Sequence, residues 1–266
     1  MSFYASSFIF DGTPSEFFGM MIYDLDGHKQ EDGTLGGHIK INEDRLSTRF
    51  SPLHYGTTQN EPMEFKLVFG VEEQRNSMDR FDLMAVSWWL MGHDQYKWLS
   101  ICQPDLAGIR YKCFITELVP ITVGGLHVAF EATITCDGPY AYHIPILDLI
   151  ECTGSQEYLL RSPCNIQGLS YLPKIELDIR TGSDKLSILN TSSGDTAFTI
   201  TGLEQYAPLT IQIDCANGTF TADKDIDLYS CSNLEFPTLI GGDNHITVIG
   251  NVAVSIFNEA PMNTGS

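Results

Sequence analysis

The side chains able to do chemistry are scattered through the chain and do not converge. The seven histidines, His28, His38, His54, His93, His127, His143 and His245, include no H-x-x-x-H pair and no H-E-x-x-H, the helical spacings that bring imidazoles together on zinc. The seven cysteines, Cys102, Cys113, Cys136, Cys152, Cys164, Cys215 and Cys231, are odd in number, widely spaced and never C-x-x-C. Neither a disulfide framework nor a thiolate metal site is signalled, and reduced, mostly buried thiols are expected. Asp24-Leu25-Asp26-Gly27 opens like a calcium loop, but that loop needs Asp or Asn fifth and Gly sixth, where His28 and Lys29 stand. A solvated acidic loop running on through Glu31-Asp32-Gly33 is the better reading. The glycine-rich stretch from Gly33 to Gly37 matches neither G-x-G-x-x-G nor a phosphate-cradling loop, and G-x-S-x-G is absent. Carboxylate pairs for glycoside hydrolysis are available by number alone among 34 acids, which is no evidence for that chemistry. Asn190-Thr191-Ser192 and Asn217-Gly218-Thr219 fit the glycosylation sequon, yet without a signal peptide they mark only surface turns. No catalytic, cofactor-binding or metal-ligating residue is therefore expected.

The whole composition agrees with a packing role. The 266 residues are 43% hydrophobic, 11% aromatic and 18% charged, which excludes a disordered tail or a long charged helix and leaves room for two domains. Lys and Arg number 15 against 34 Asp and Glu, a formal charge of −19, which disfavours binding to phosphate backbones. No apolar run reaches the roughly 18 residues of a membrane span, the longest candidate being Leu83–Met91, and no signal peptide opens the chain. A soluble, unsecreted protein is expected.

The elements that carry the chain are mostly strands. Met63, Phe65, Leu67, Phe69 and Val71 take alternate positions, as do Leu126, Val128, Phe130, Ala132, Ile134 and Cys136, with His127, Glu131, Thr133 and Thr135 on the other face of the second run, a period of two that lines one face of a strand. Ile109 to Ile115 reads as a third strand, and Gly124-Gly125 fits a tight reversal before Leu126. Between Ser77 and Gly92, Phe81, Met84, Ala85, Trp88 and Met91 form a helical stripe, with Asn76 or Ser77 as cap and Gly92 as a left-handed stop. That stripe is expected to pack over a β-sandwich, with partner binding as the alternative.

After Asp137-Gly138-Pro139 the periodicity loosens until about Pro173, which predicts a linker open to trypsin or chymotrypsin near Tyr158 and Arg161. Short strands then resume at Ile175/Leu177/Ile179, Leu186/Ile188, Phe198/Ile200, Leu209/Ile211/Ile213, Ile246/Val248 and Val252/Val254/Ile256, separated by Gly, Asn and Ser turns. This pattern predicts an antiparallel sandwich. The expected organisation is an N-terminal β domain over 1–140 with a helix at about 78–91, a linker over 141–172 and a second sandwich over 173–266. Both parts are acidic, with net charges of −9 over 1–140 and −10 over 141–266.

Phe8-Ile9-Phe10-Asp11-Gly12-Thr13-Pro14-Ser15-Glu16-Phe17-Phe18-Gly19-Met20 resembles the start of the distal tail proteins of long-tailed, non-contractile bacteriophages, the Dit family. The same order continues with the aromatic-rich strand at Glu64–Val71, the helix ending Trp88-Trp89-Leu90-Met91-Gly92, Tyr111-Lys112-Cys113-Phe114-Ile115, and Phe130 to Tyr140 through Cys136-Asp137-Gly138-Pro139. Leu234-Glu235-Phe236-Pro237-Thr238-Leu239 and Gly241-Gly242-Asp243-Asn244-His245-Ile246 resemble the family's C-terminal sandwich, so the likeness spans nearly the whole chain. The resemblance implies a mainly β virion protein of the tail tip, assembled in the host cytoplasm: an N-terminal β-sandwich with one helix and a galectin-like C-terminal sandwich. It implies no enzyme activity and no cofactor. Its expected partners are five further copies of itself in a hexameric ring, the tail tube protein, the tail-tip hub protein and receptor-binding proteins, with DNA passing through the lumen unbound. The same part serves gene-transfer particles and tail-like bacteriocins. Against the competing lectin reading, all three tryptophans, Trp88, Trp89 and Trp98, lie in the N-terminal half, and from Lys174 the chain offers one arginine, Arg180, and one histidine, His245, to ring a sugar, with Tyr206 or Tyr229 as substitutes for stacking. Lys40, Arg45, Arg49, Lys66, Arg75 and Arg110 are the cations expected to offset repulsion at the joints of an acidic ring.

Overall fold

The computed structural model describes residues 5–23, 40–45, 50–58, 61–71 and 77–264. Asp24 to Gly37, Asn76, Arg49 and Arg75 lie outside them, as does the side chain of Lys40. The chain is mainly β and divides into two units, Met1–Tyr142 with Asn263–Ser266, and His143–Met262. The second is thus inserted into the first, and the expected 173–266 domain is corrected at both ends.

In the first unit the strands are β1 (Phe8–Phe10), β2 (Thr13–Pro14), β3 (Met20–Ile22), β4 (Lys40–Asp44), β5 (Leu53–Thr58) and β6 (Glu64–Val71), followed by helix α1 (Arg80–Met91). Then come β7 (Lys97–Ile101), β8 (Ile109–Val123) and β9 (Leu126–Cys136), with β10 (Ala141–His143) at the passage to the second unit. The main sheet is antiparallel in the order β2-β1-β7-β8-β9-β6-β3, and β4 pairs separately with β5. Strands β6 and β9 fall where their alternation predicts, and Phe65, Leu67, Phe69, Phe130, Ala132 and Ile134 are buried. The β8–β9 turn has φ of 59° at Gly124 and 85° at Gly125, the left-handed pair that a two-residue hairpin needs and that side chains resist. Strand β8 runs on to Val123, beyond the expected Ile115, because Leu118 to Ile121 stay paired with β9.

The second unit contains β11 (Ile146–Ser162), β12 (Ser170–Tyr171), β13 (Lys174–Ile179), β14 (Lys185–Asn190), β15 (Phe198–Thr201), β16 (Leu209–Asp214) and β17 (Thr219–Ala222). A short helix α2 (Leu228–Cys231) precedes β18 (Leu239–Ile240), β19 (Gly242–Asn258) and β20 (Pro261–Met262). The order is β15-β14-β19-β13-β16-β17, with β11 on the other edge of β19. The expected linker is wrong over 146–162. That stretch is a 17-residue strand, paired residue for residue with β19. Its inward positions Ile150, Cys152, Leu160 and Ser162 are buried, while Gly154 and the polar residues around it interrupt the apolar signal. The two short strands expected at 246–248 and 252–256 are likewise one strand. One edge of β19 is shared by β14 over 246–249 and by β13 over 252–257, and the handover falls at Gly250. Gly250 lies directly opposite Gly154, with φ of 140° and 101°. Positive φ inside a ladder kinks the ribbon, and the paired glycines sit where β19 passes from β14 to β13. Each unit has a core of its own.

Candidate assembly surface

Helix α1 starts at a different cap from the one expected. Asp79 is the N-cap, its carboxylate accepting from the Phe81 and Asp82 amides at 2.7 and 2.9 Å, while Asp82 returns the bond to the Asp79 amide at 2.9 Å. This is a reciprocal capping box. Gly92 ends the helix at φ −76°, outside the left-handed region, its amide donating to the Trp88 carbonyl.

The helix is also turned opposite to expectation. Its buried face is Val86, Trp89 and Leu90. The Trp89 ring stacks on Phe18 at 4.5 Å and on Phe8 at 5.7 Å, meets Phe10 edge-on, and donates its indole N–H to the Phe10 carbonyl at 3.3 Å. The predicted stripe faces outward instead: Phe81 and Trp88 are each 80% exposed, and Met84, Ala85 and Met91 are exposed too. Both faces are apolar, so periodicity could not choose between them; the aromatics of the opening segment do, by enclosing Trp89. A helix apolar all round is ordinarily covered all round. The outer side forms an open groove of about 720 Å³ bordered by Arg80, Met84, Trp88 and Met91.

A second exposed apolar feature is the end of the β8–β9 hairpin, where Val119, Val123 and Leu126 are exposed. It adjoins the start of α1, since Met78 bridges to His127. From Leu118 to Ala129 the sequence holds no Asp, Glu, Lys or Arg, and from Phe81 to His93 only Asp82, which is engaged in the cap.

The cations expected at joints are partly engaged within the subunit. Lys66 pairs with Glu131 at 2.5 Å, Arg45 with Glu43 at 3.0 Å, and the Arg110 guanidinium lies 3.7 Å from the centre of the Trp98 ring. In the second unit Arg180 is paired with Glu151, Tyr229 packs edge-on to Phe220, and half-buried Tyr206 packs against the core. The Gly-Gly-Asp-Asn segment proves structural. Asn244, fully buried, accepts from the Ile240 amide and the Asn190 side chain and donates to the Ile240 and Gly242 carbonyls. Nearby, Asp195 accepts from Thr238 and Ser193, bonds that hold its carboxyl below the usual range. Among the described residues no three His, Cys, Asp or Glu side chains gather as a metal site, and no helix is long and apolar enough to cross a membrane.

Among curated proteins, none matches this sequence. Among solved structures, the Dit (gp 19.1) protein of phage SPP1, described as a paradigm of the hub adsorption apparatus in phages infecting Gram-positive bacteria, superposes with a TM-score of 0.67. That match has 11% identity and covers 95% of this chain and 98% of the other. The baseplate of phage p2 in its activated, strontium-bound conformation matches with a TM-score of 0.47 and 13% identity, over 96% and 98% of the two chains. A family model described as the phage tail protein N-terminal domain matches residues 3–138. With more than half of its length accounted for by that model, the chain belongs to the family of phage tail proteins that carry this N-terminal domain.

Proposed function

We propose that this protein is a distal tail component of the virion whose first unit forms a hexameric ring joining the tail tube to the tail-tip hub. The observation carrying this reading is the shared fold with the SPP1 protein over 95% of the chain, because both units are included in it. The role is mechanical. A closed ring needs two different surfaces on each copy, and it needs no active site, so no catalysis is proposed. The inserted galectin-like unit is the part that meets receptor-binding proteins. Acidic subunits suit a bore that passes DNA, since a lumen repelling phosphate lets the duplex slide. Assembly takes place in the host cytoplasm before the particle is released.

Native mass spectrometry of the purified chain across a salt series, alone and with the tube and hub proteins, tests the reading. Six-copy species, with sixfold rings in negative-stain images, are expected. A monomer under every condition overturns the ring.

A further inference from the structure

The two exposed apolar surfaces of the first unit lie at opposite ends of one element. The hairpin tip around Val123 and Leu126 adjoins the start of α1 through the Met78–His127 bridge. Trp88 and Met91 are exposed at its other end, and 12 residues at 1.5 Å each separate the two ends by about 18 Å. Two unlike patches at the two ends of a rod are what a head-to-tail joint requires, and such joints close rings where like-to-like contacts close only dimers.

We propose that the Val123–Leu126 tip of one copy seats against the Trp88–Met91 end of α1 on the next copy. This rests on the ring reading and names the joint. Charge selects a second copy as the occupant. In a chain of net −19, contacts between identical subunits bring like charges together unless the facing surfaces carry little negative charge, and these two surfaces hold a single carboxylate, Asp82, already engaged in the cap, with the cation Arg80 at the groove's edge.

The test mixes two full-length variants. One carries Val123→Lys and Leu126→Lys, the other Trp88→Lys and Met91→Lys. Lysine lowers the net negative charge, so lost assembly cannot arise from added repulsion. All four side chains are exposed, and an unchanged far-ultraviolet circular dichroism spectrum and thermal midpoint verify folding. Under conditions where the natural chain forms rings, each variant alone is expected to be monomeric by native mass spectrometry. An equimolar mixture is expected to give a dimer and nothing larger, because one intact tip then meets one intact helix. Rings from either variant alone, or a mixture that stays monomeric, overturn this joint while leaving the ring itself standing. A natural chain that never assembles overturns both.

Discussion

The cysteines show how far a single residue can be understood from its neighbours in sequence. Cys113 and Cys136 follow the apolar alternation of their strands, sit opposite one another across β8 and β9, and are fully buried. Burial pushes the thiol of Cys136 up to about 12, with Asp137 adding to it, and Cys215 likewise to about 12 beside Asp214. Cys113 is shifted upward for the same reason. Thiolates being the reactive species, alkylation of the native protein should label exposed Cys102 and half-exposed Cys231 and spare these three, as a mass-spectrometric count of modified sites will show; early labelling of Cys113 would refute the burial. The sign of the accompanying pH effect follows from linkage. Below the ordinary thiol value of 9.0 folded and unfolded chains hold the same protons, so this contribution to stability is complete there. Between 9 and about 12 only the unfolded chain ionises, and stability falls as pH rises. Denaturant midpoints should therefore decline from pH 9 upward, and a flat profile would contradict the shift.

At the scale of elements, adjacent tryptophans on α1 point to opposite fates, Trp89 buried in the core and Trp88 exposed. Trp89→Ala removes a ring held between Phe8 and Phe18 and should cost about 3–5 kcal/mol, whereas Trp88→Ala, at an exposed site, should change the stability of the single subunit by no more than about 0.5 kcal/mol. Equilibrium denaturation of both variants decides this, and equal losses would mean the helix is turned the other way. The existence of α1 was legible in the spacing of its apolar residues; its orientation was not, because the aromatics that select Trp89 lie some seventy positions earlier. Strands β6 and β9 were legible because each keeps one apolar face without interruption. Strand β11 was not, since Gly154 and its polar neighbours break the alternation in mid-strand, and the reason for that glycine lies across the ladder at Gly250. A Cβ on Gly250 would meet the Lys185 carbonyl oxygen at 3.2 Å, on a backbone that side chains rarely adopt. Gly250→Ala should thus destabilise the second unit by about 1–3 kcal/mol, read as a lower melting temperature. The pairing also reverses the expectation for proteolysis. Arg161 stands in the ladder opposite Asp243, so native trypsin digestion should leave the bond after it intact, and an early cut there would mean that β11 is not stably paired.

For the molecule as a whole, the insertion of one unit into the other separates the proposed ring contacts from much of the charge. Asn263 and Thr264 return to the first unit, where the Thr264 side chain hydrogen-bonds Tyr111. Residues 143–262 carry 5 basic and 15 acidic side chains, more than half of the net −19. In the proposed ring six full-length copies would bring together about −114 of formal charge, and bulk salt would have to screen what the joints do not offset. Ring formation should accordingly weaken at low ionic strength. Replacing 143–262 by a short Gly/Ser linker, which spans the insertion without imposing structure, keeps Thr264 in place and lowers the net charge per copy to −9. Since the first unit has its own core and contains both proposed contact surfaces, the shortened chain should fold, still form six-copy rings, and do so with a shallower dependence on salt. Light scattering of both chains across one salt series reads the comparison directly. An unfolded product would show that the first core depends on the second unit, and an unchanged salt dependence would place the opposing charge on the ring-forming unit alone.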